Sequence, residues 1–297
     1  MRQRELFIDW LKALAIFLVI AFHVAYGINQ NNSLRIIGFF GVSLFFIISG
    51  FILAKNYPEQ KNFSLQWFKK RYIKIATLYY PSLILIVLLF SKQVYSGNIF
   101  KNLISHFLFI DSNFPNYTYG IISPAWFLAP LILFYLFFPF LNRLIRKSEF
   151  FLIPIFLITT LFRIHDGNYT STDPLFFLGE FCFGIAIANK KFTLPLISSI
   201  MVMLISPSMV LPFVIFILFY FARTKTTSNP LIKFISNETL ALFLFHEGLI
   251  NLALNKWHIY FIPKYYSIPI YIILVAILTY FSDKFYKKIY RDKKRIV

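Results

Sequence analysis

The sequence predicts an all-α membrane protein, a bundle of about ten transmembrane helices with both termini in the cytoplasm. The chain is 58% hydrophobic and only 14% charged, whereas a soluble domain carries roughly a quarter charged residues. Apolar runs, many of them long enough to cross a bilayer as helices, recur along the whole chain. No stretch remains for a separate soluble domain. The prediction is therefore one transmembrane domain, 1–297, with a core of 5–283 and a basic cytoplasmic tail of 284–297.

The distribution of basic residues supports this topology. With the N-terminus in the cytoplasm and strict alternation of spans, most of the 30 lysines and arginines fall on the cytoplasmic side, as the positive-inside rule requires. Arg163 is counted among the few charges of the external loops. The first span is interpreted as an uncleaved signal anchor. The predicted spans are 7–27, 36–54, 74–91, 124–142, 149–164, 174–189, 192–206, 208–222, 238–255 and 267–283.

The charge and motif content exclude several classes of function. The net charge is +18. The basic residues that produce it lie in short loops, where they determine the membrane topology, so no nucleic-acid partner is expected. The basic tail is either such a topology signal or a binding segment for anionic membrane lipid. Cys182 is the only cysteine, so no internal disulfide can form. The chain contains no phosphate-binding loop, dinucleotide fingerprint or zinc-ligand spacing, and no metal site is predicted.

The first span carries three polar side chains that a lipid-facing helix would not need. Asp9 and Lys12 are three residues apart, and Lys12 to His23 is eleven residues, about three helical turns. All three can therefore lie on one stripe, which predicts a site inside the bundle because an ionisable group in hydrocarbon costs several kcal/mol unless it is paired. The alternative is an interfacial Asp9–Lys12 ion pair with His23 reaching the far headgroups. Neutral imidazole is a good general base near pH 7.

Other polar residues inside predicted spans are further candidates. Glu180 lies in an apolar helix and needs a partner or a proton. His246 and Glu247 lie in mid-span on different helix faces, and they form either a polar site or ordinary interhelical hydrogen bonds. Trp126, at the expected external headgroup level, is either an interface anchor or a platform for stacking a sugar.

A cationic cluster precedes the third span. Its members are Lys69, Lys70, Arg71 and Lys74. Such a cluster can hold the phosphates of a nucleotide-bearing acyl donor. The positive-inside rule explains the same charges without a ligand.

Five segments together resemble a known family, in order along almost the whole chain. They are Asp9, Lys12 and His23; Gly41-Val42-Ser43-Leu44-Phe45-Phe46-Ile47-Ile48-Ser49-Gly50-Phe51; Arg71-Tyr72-Ile73-Lys74-Ile75; Trp126-Phe127-Leu128 with Tyr135 and Pro139; and Ser236 with His246. In this order they resemble the acyltransferase 3 family, integral-membrane acyltransferases that modify extracytoplasmic glycans. The chain departs from the family's pattern in having lysine at 12 and 74, and Ala129-Pro130 where many members carry a glutamate.

The resemblance implies an enzyme of a bacterial-type inner (plasma) membrane, spanning it many times. It would move an acyl group, acetyl from acetyl-CoA in the first instance, to a hydroxyl of a cell-surface polysaccharide or its lipid-linked precursor. No cofactor is expected to be bound permanently. The implied catalytic residues are His23, Asp9 and Lys12, and the implied donor-binding residues are Arg71 and Lys74. Ser49, Trp126, Glu180 and His246 are secondary candidates.

Two alternatives remain at this point. The same buried charges could form the binding site of a glycan or lipid transporter, although no internal repeat of the kind common in transporters is found. The chain could also be a non-catalytic partner in a polysaccharide-synthesis complex.

Overall fold

The computed structural model describes residues 5–29, 34–58, 63–94, 98–110, 120–166, 172–205 and 210–291. Every regular element in these ranges is helical, which confirms the all-α prediction. Short 3₁₀ turns lie at Ser123–Phe127, Glu149–Phe151, Pro174–Phe177 and Ala222–Lys225. The α-helices are α1 (Leu6–Asn29), α2 (Arg35–Asn56), α3 (Leu65–Val94), α4 (Ile99–Phe107), α5 (Leu128–Lys147), α6 (Leu152–Asp166), α7 (Leu178–Ala188), α8 (Thr193–Ile205), α9 (Leu211–Phe221), α10 (Pro230–Asn237), α11 (Thr239–Ala253) and α12 (Lys264–Arg291).

Five helical segments are long and apolar enough to cross a membrane. They are Leu6–Asn29, Arg35–Asn56, Leu65–Phe90, Ser123–Lys147 and Lys264–Ile289. Two shorter apolar segments, Pro174–Ala188 and Thr239–Ala253, coincide with further predicted spans. The total of ten spans and the cytoplasmic termini remain predictions. The predicted basic tail begins inside α12, since that helix continues to Arg291, and its last residues, 292–297, lie outside the described ranges.

The helices cluster into two compact units. The first unit comprises residues 1–63 and 130–239, and the second comprises 64–129 and 240–297. The first unit therefore holds α1, α2, most of α5, and α6 to α10. The second holds α3, α4, the turn that leads into α5, α11 and α12.

In the first unit, helix α2 packs so closely against both α1 and α7 that the helix backbones nearly touch. A Cβ atom on Gly50 would overlap the carbonyl oxygen of Phe181, and one on Gly184 would overlap that of Ile47. A Cβ atom on Gly41 would likewise overlap the carbonyl oxygen of Ala15. Small residues let helices approach this closely in membranes. The glycines of the second motif thus have a packing role.

Phenylalanine rings fill the space around this glycine contact. Phe46 of α2 stacks on Phe177 with ring centroids 4.7 Å apart, and Phe134 of α5 stacks on Phe181 of α7 at 4.9 Å. Cys182, next to Phe181, is completely buried. Such ring pairs add to the free energy of burial, which is consistent with the 39 phenylalanines of the chain.

A buried ion pair joins α6 to α7. The guanidinium of Arg163, 3% exposed, pairs with the carboxylate of Glu180, 0% exposed. The same guanidinium donates to the carbonyl of Phe176 at 3.2 Å and lies 4.7 Å from the centre of its ring. Ser43 of α2 donates to the Glu180 carboxylate at 3.3 Å. The placement of Arg163 in an external loop was therefore wrong, because the last turns of α6 carry it into the protein interior.

In the second unit, α11 and α12 meet at Tyr271. Its hydroxyl donates to the carbonyl of Phe245 at 3.2 Å, and a Cβ atom on Gly248 would overlap that hydroxyl. The ring of Tyr271 also lies 5.6 Å from that of Phe90, where α3 departs from helical geometry. Since α12 also packs along α3, three helices are joined around one buried tyrosine.

The short helix α4 holds a buried histidine. His106 is 0% exposed, and its Nε2 accepts the backbone N–H of Ile121 at 3.1 Å. The proton of neutral His106 must then sit on Nδ1, which lies 3.2 Å from the Tyr79 hydroxyl. That hydroxyl donates to the backbone carbonyl of His106 at 3.1 Å. Burial lowers the pKa of His106 to about 4.

We expect Gly184→Ala to lower the free energy of unfolding by about 1–3 kcal/mol, because overpacking forces two backbones apart. Gly179→Ala is the matched control in the same helix, since its Cβ would meet the Thr159 side chain at 3.2 Å instead of a backbone carbonyl. Thermal unfolding in detergent measures both. Equal effects of the two substitutions would contradict the proposed α2–α7 contact.

We expect Arg163→Met to destabilise the protein by about 3–5 kcal/mol, because it leaves a buried carboxylate without its cation. The double variant Arg163→Met/Glu180→Gln should recover most of the loss. Arg223→Met is the control, since Arg223 is exposed and lies 4.3 Å from the centre of the Tyr220 ring. Denaturant titration gives the free energies, and a double variant no better than the single one would argue against an essential pairing.

The buried His106 predicts a dependence of stability on pH. Its folded pKa of about 4 lies below the ordinary value of 6.5, so the unfolded chain binds more protons between these values. Stability should therefore fall as the pH drops from about 6.5 towards 4, by about 3 kcal/mol at most from this group. Thermal unfolding across this range should show a shallower slope for His106→Gln than for the parent. Substitution of the exposed His258 by glutamine is the matched control, and an equal change of slope in both variants would contradict a specific role for His106.

Candidate functional site

The predicted site residues are divided between the two units. The first unit contains Asp9, Lys12, His23, Ser49 and Glu180, and the second contains Arg71, Lys74, Trp126 and His246. Within each unit, local contacts indicate what each side chain can do.

Asp9 is held by a residue far away in the sequence. Its carboxylate is 6% exposed and accepts a hydrogen bond from the hydroxyl of Ser236 on α10 at 2.6 Å. The neighbouring Trp10 donates from Nε1 to the carbonyl of Thr227 at 3.1 Å. The serine that opens the fifth motif therefore meets the acidic residue that opens the first. Sequence reasoning noted both residues but had no signal for their pairing.

Lys12 and His23 lie on the same unbroken helix as Asp9. Ile16 and Val19, which occupy the turns between them, are 2% and 3% exposed, whereas Lys12 and His23 are half-buried. The His23 ring lies 4.9 Å from the ring of Phe22. Eleven residues at about 1.5 Å each separate Lys12 and His23 by roughly 16 Å along the axis. The helix thus presents a cation and an imidazole at two different depths along α1.

Ser49 and Glu180 border the α2–α7 contact. Ser49 is half-buried beside Gly50, at the closest approach of the two helices. Glu180 is engaged by Arg163 and Ser43, so the partner that an intramembrane carboxylate requires is an arginine. The sequence carried no signal for this pairing, and Arg163 was counted among the external charges. These contacts give Glu180 a structural role, and a part in chemistry remains a prediction.

Arg71 and Lys74 lie one turn apart on α3. Arg71 is half-buried and Lys74 is exposed. Asp283 of α12 attracts the Lys74 ammonium group electrostatically, while Arg71 repels it. A pair of cations so placed can bind two oxygens of a phosphate group.

His246 has a defined tautomer. Its ring is 5% exposed, and Nδ1 donates to the backbone carbonyls of Phe243 and Leu242 at 2.9 and 3.1 Å. Carbonyl oxygens only accept, so the neutral ring carries its lone pair on Nε2. Nε2 can therefore accept a proton or a hydrogen bond.

Trp126 lies within a short turn of chain that Glu247 also contacts. Trp126 is 7% exposed within the 3₁₀ turn Ser123–Phe127, so its ring is packed inside the second unit. The first residue of that turn, Ser123, is hydrogen-bonded to the carboxylate of Glu247. Among the described residues, no group of three or more His, Cys, Asp and Glu side chains could hold a metal ion.

Comparison with known proteins relates the chain to acyltransferases. The sequence matches the model of an acyltransferase domain family over residues 5–286. It is 30% identical over 152 residues to acyltransferase MdmB of Streptomyces mycarofaciens. That alignment covers 46% of this chain and 38% of the relative, so the chain matches well under half of the relative's length. No solved structure matches.

The family match covers nearly the whole chain, and it includes all the candidate residues on both units. The protein therefore belongs to the acyltransferase 3 family of membrane-bound enzymes that transfer acyl groups.

Proposed function

We propose that the protein transfers an acetyl group from acetyl-CoA to a hydroxyl of a cell-surface polysaccharide or its lipid-linked precursor. It would act in a bacterial-type inner membrane, with ten spans and both termini in the cytoplasm. The observation that carries the proposal is the polar side of α1, where an anchored Asp9, Lys12 and His23 lie along one helix. Such a helix suits a reaction whose donor and acceptor arrive from opposite sides.

His23 is the proposed base. As the hydroxyl oxygen attacks the carbonyl carbon of the thioester, its proton passes to the imidazole. The C–O bond forms, the C–S bond breaks, and the leaving thiolate takes the proton from His23. In a two-step variant, His23 carries the acyl group transiently. Both routes yield the ester and free coenzyme A.

The other residues have supporting roles in this proposal. Arg71 and Lys74 bind the donor's phosphates. Lys12 contacts the donor from the same helix as His23, although as a lysine it lacks the planar fork of arginine. Asp9, fixed by Ser236, orients that end of α1. Ser49, Trp126, Glu180 and His246 are candidates for positioning and sugar contact.

We expect His23→Ala to reduce acetyl transfer by about 10²–10⁴-fold, the usual contribution of a general base, while acetyl-CoA still binds. Val24→Ala is the matched control, because Val24 is adjacent and 39% exposed. Labelled acetyl transfer to glycan by the purified protein is the measurement. Full activity in a folded His23→Ala protein would remove His23 from the mechanism.

The donor site is tested in the same preparation. Arg71→Ala/Lys74→Ala should weaken acetyl-CoA binding by about tenfold or more, the loss of a charge-assisted hydrogen bond. Arg143→Ala/Lys147→Ala, at two exposed basic positions of α5, should bind normally. If the folded parent protein bound neither acetyl-CoA nor another acyl-CoA, the result would favour a glycan or lipid transporter, or a non-catalytic partner.

A further inference from the structure

An apolar groove runs between α3 and α12 in the second unit. It encloses about 610 Å³, a volume in the range of ligand sites. Thr77 and Ser282 supply the only hydroxyl groups of the lining. The lining residues are Ile73, Ala76, Thr77, Pro81, Leu278, Phe281, Ser282, Phe285 and Ile289.

The groove opens sideways. Intervals of three and four residues recur in the lining of each helix, so each helix contributes one continuous face. Phe281 and Phe285 are 59% and 57% exposed. Of the five candidate spans, α12 is also the least buried. A groove on the outer side of a membrane span meets lipid chains, and its apolar lining fits a hydrocarbon chain.

Basic residues surround one end of this groove. Lys70 lies one turn before Ile73 on α3, and Lys284 and Lys288 lie on either side of Phe285 on α12. All three lysines are exposed. Asp283 is the only acidic residue in the sequence of α3 and α12, and it is paired with Lys287. The net charge at this end of the groove is therefore positive. It lies where the apolar stretches of α3 and α12 give way to basic residues.

We propose that the groove binds an anionic glycerophospholipid. One acyl chain lies between α3 and α12, and the phosphate meets Lys70, Lys284 and Lys288. On the predicted topology, this end faces the cytoplasmic leaflet, whose anionic lipids attract clusters of basic residues beside membrane spans. The site does not depend on the acyl-transfer chemistry. It would hold the exposed α12 against α3.

Photo-crosslinking tests the site directly. The full chain is placed in phosphatidylcholine nanodiscs with a trace of phosphatidylglycerol carrying a diazirine on one acyl chain. Cross-linked peptides should be concentrated in Ile73–Pro81 and Leu278–Ile289. The exposed Leu157 and Leu161 of α6 report the background.

Two variants test the two parts of the ligand. Replacing Lys70, Lys284 and Lys288 by glutamine should weaken labelling by about fivefold per lysine. Lys101→Gln/Lys264→Gln, at exposed positions of α4 and α12 away from the groove, should not. Ala76→Phe should fill the groove and reduce labelling, whereas Ile84→Phe, at an exposed position of α3, should not.

Several results would overturn the proposal. One is equal labelling of the groove by a phosphatidylcholine that carries the same diazirine. Another is unchanged labelling in the folded variant with all three lysines replaced. A third is labelling of α3 and α12 that is no stronger than the labelling of α6. Displacement of the probe by acetyl-CoA would assign the groove to the donor instead. If labelling of the groove were lost only in a dimeric fraction of the protein, the groove would be assigned to a second copy of the chain.

Discussion

The first unit depends on the direct contact between the backbones of α2 and α7. Gly50 and Gly184 each approach a carbonyl oxygen of the opposite helix, and Gly41 makes the same approach towards α1. Lipid offers little hydrophobic force for helix association, so close packing must supply the attraction. The contact places Ser43 beside Glu180 and sets α1 along the other side of α2.

Buried charge in this unit is compensated by residues that local sequence does not connect. Arg163 neutralises Glu180, and Ser236 satisfies Asp9. These two cases differ in chemical consequence. The first carboxylate is engaged by a cation from a neighbouring helix, which suits a permanent structural role. The second accepts a hydrogen bond from the Ser236 hydroxyl on α10, which fixes the orientation of its carboxylate on α1.

Periodicity and hydropathy were sufficient to locate α1 and α2 in the sequence. Their predicted spans of 7–27 and 36–54 agree with the helices of the structure to within a few residues. The polar stripe of α1 followed from helical spacing alone. Pairings between distant helices could not be predicted, because a single sequence carries no signal for which buried arginine meets which carboxylate. The buried state of Trp126 was missed for the same reason. Its position along the chain suggested an interface anchor, and tertiary packing placed its ring inside.

The complete burial of Cys182 has a practical consequence. The chain's one thiol lies against the glycine contact of α7, out of reach of aqueous maleimide reagents while the protein is folded. The natural sequence therefore serves as an unreactive background, and a cysteine introduced into any loop becomes the one labelled site. Impermeant and permeant reagents applied to such a series would assign each loop to a side of the membrane without altering the native core.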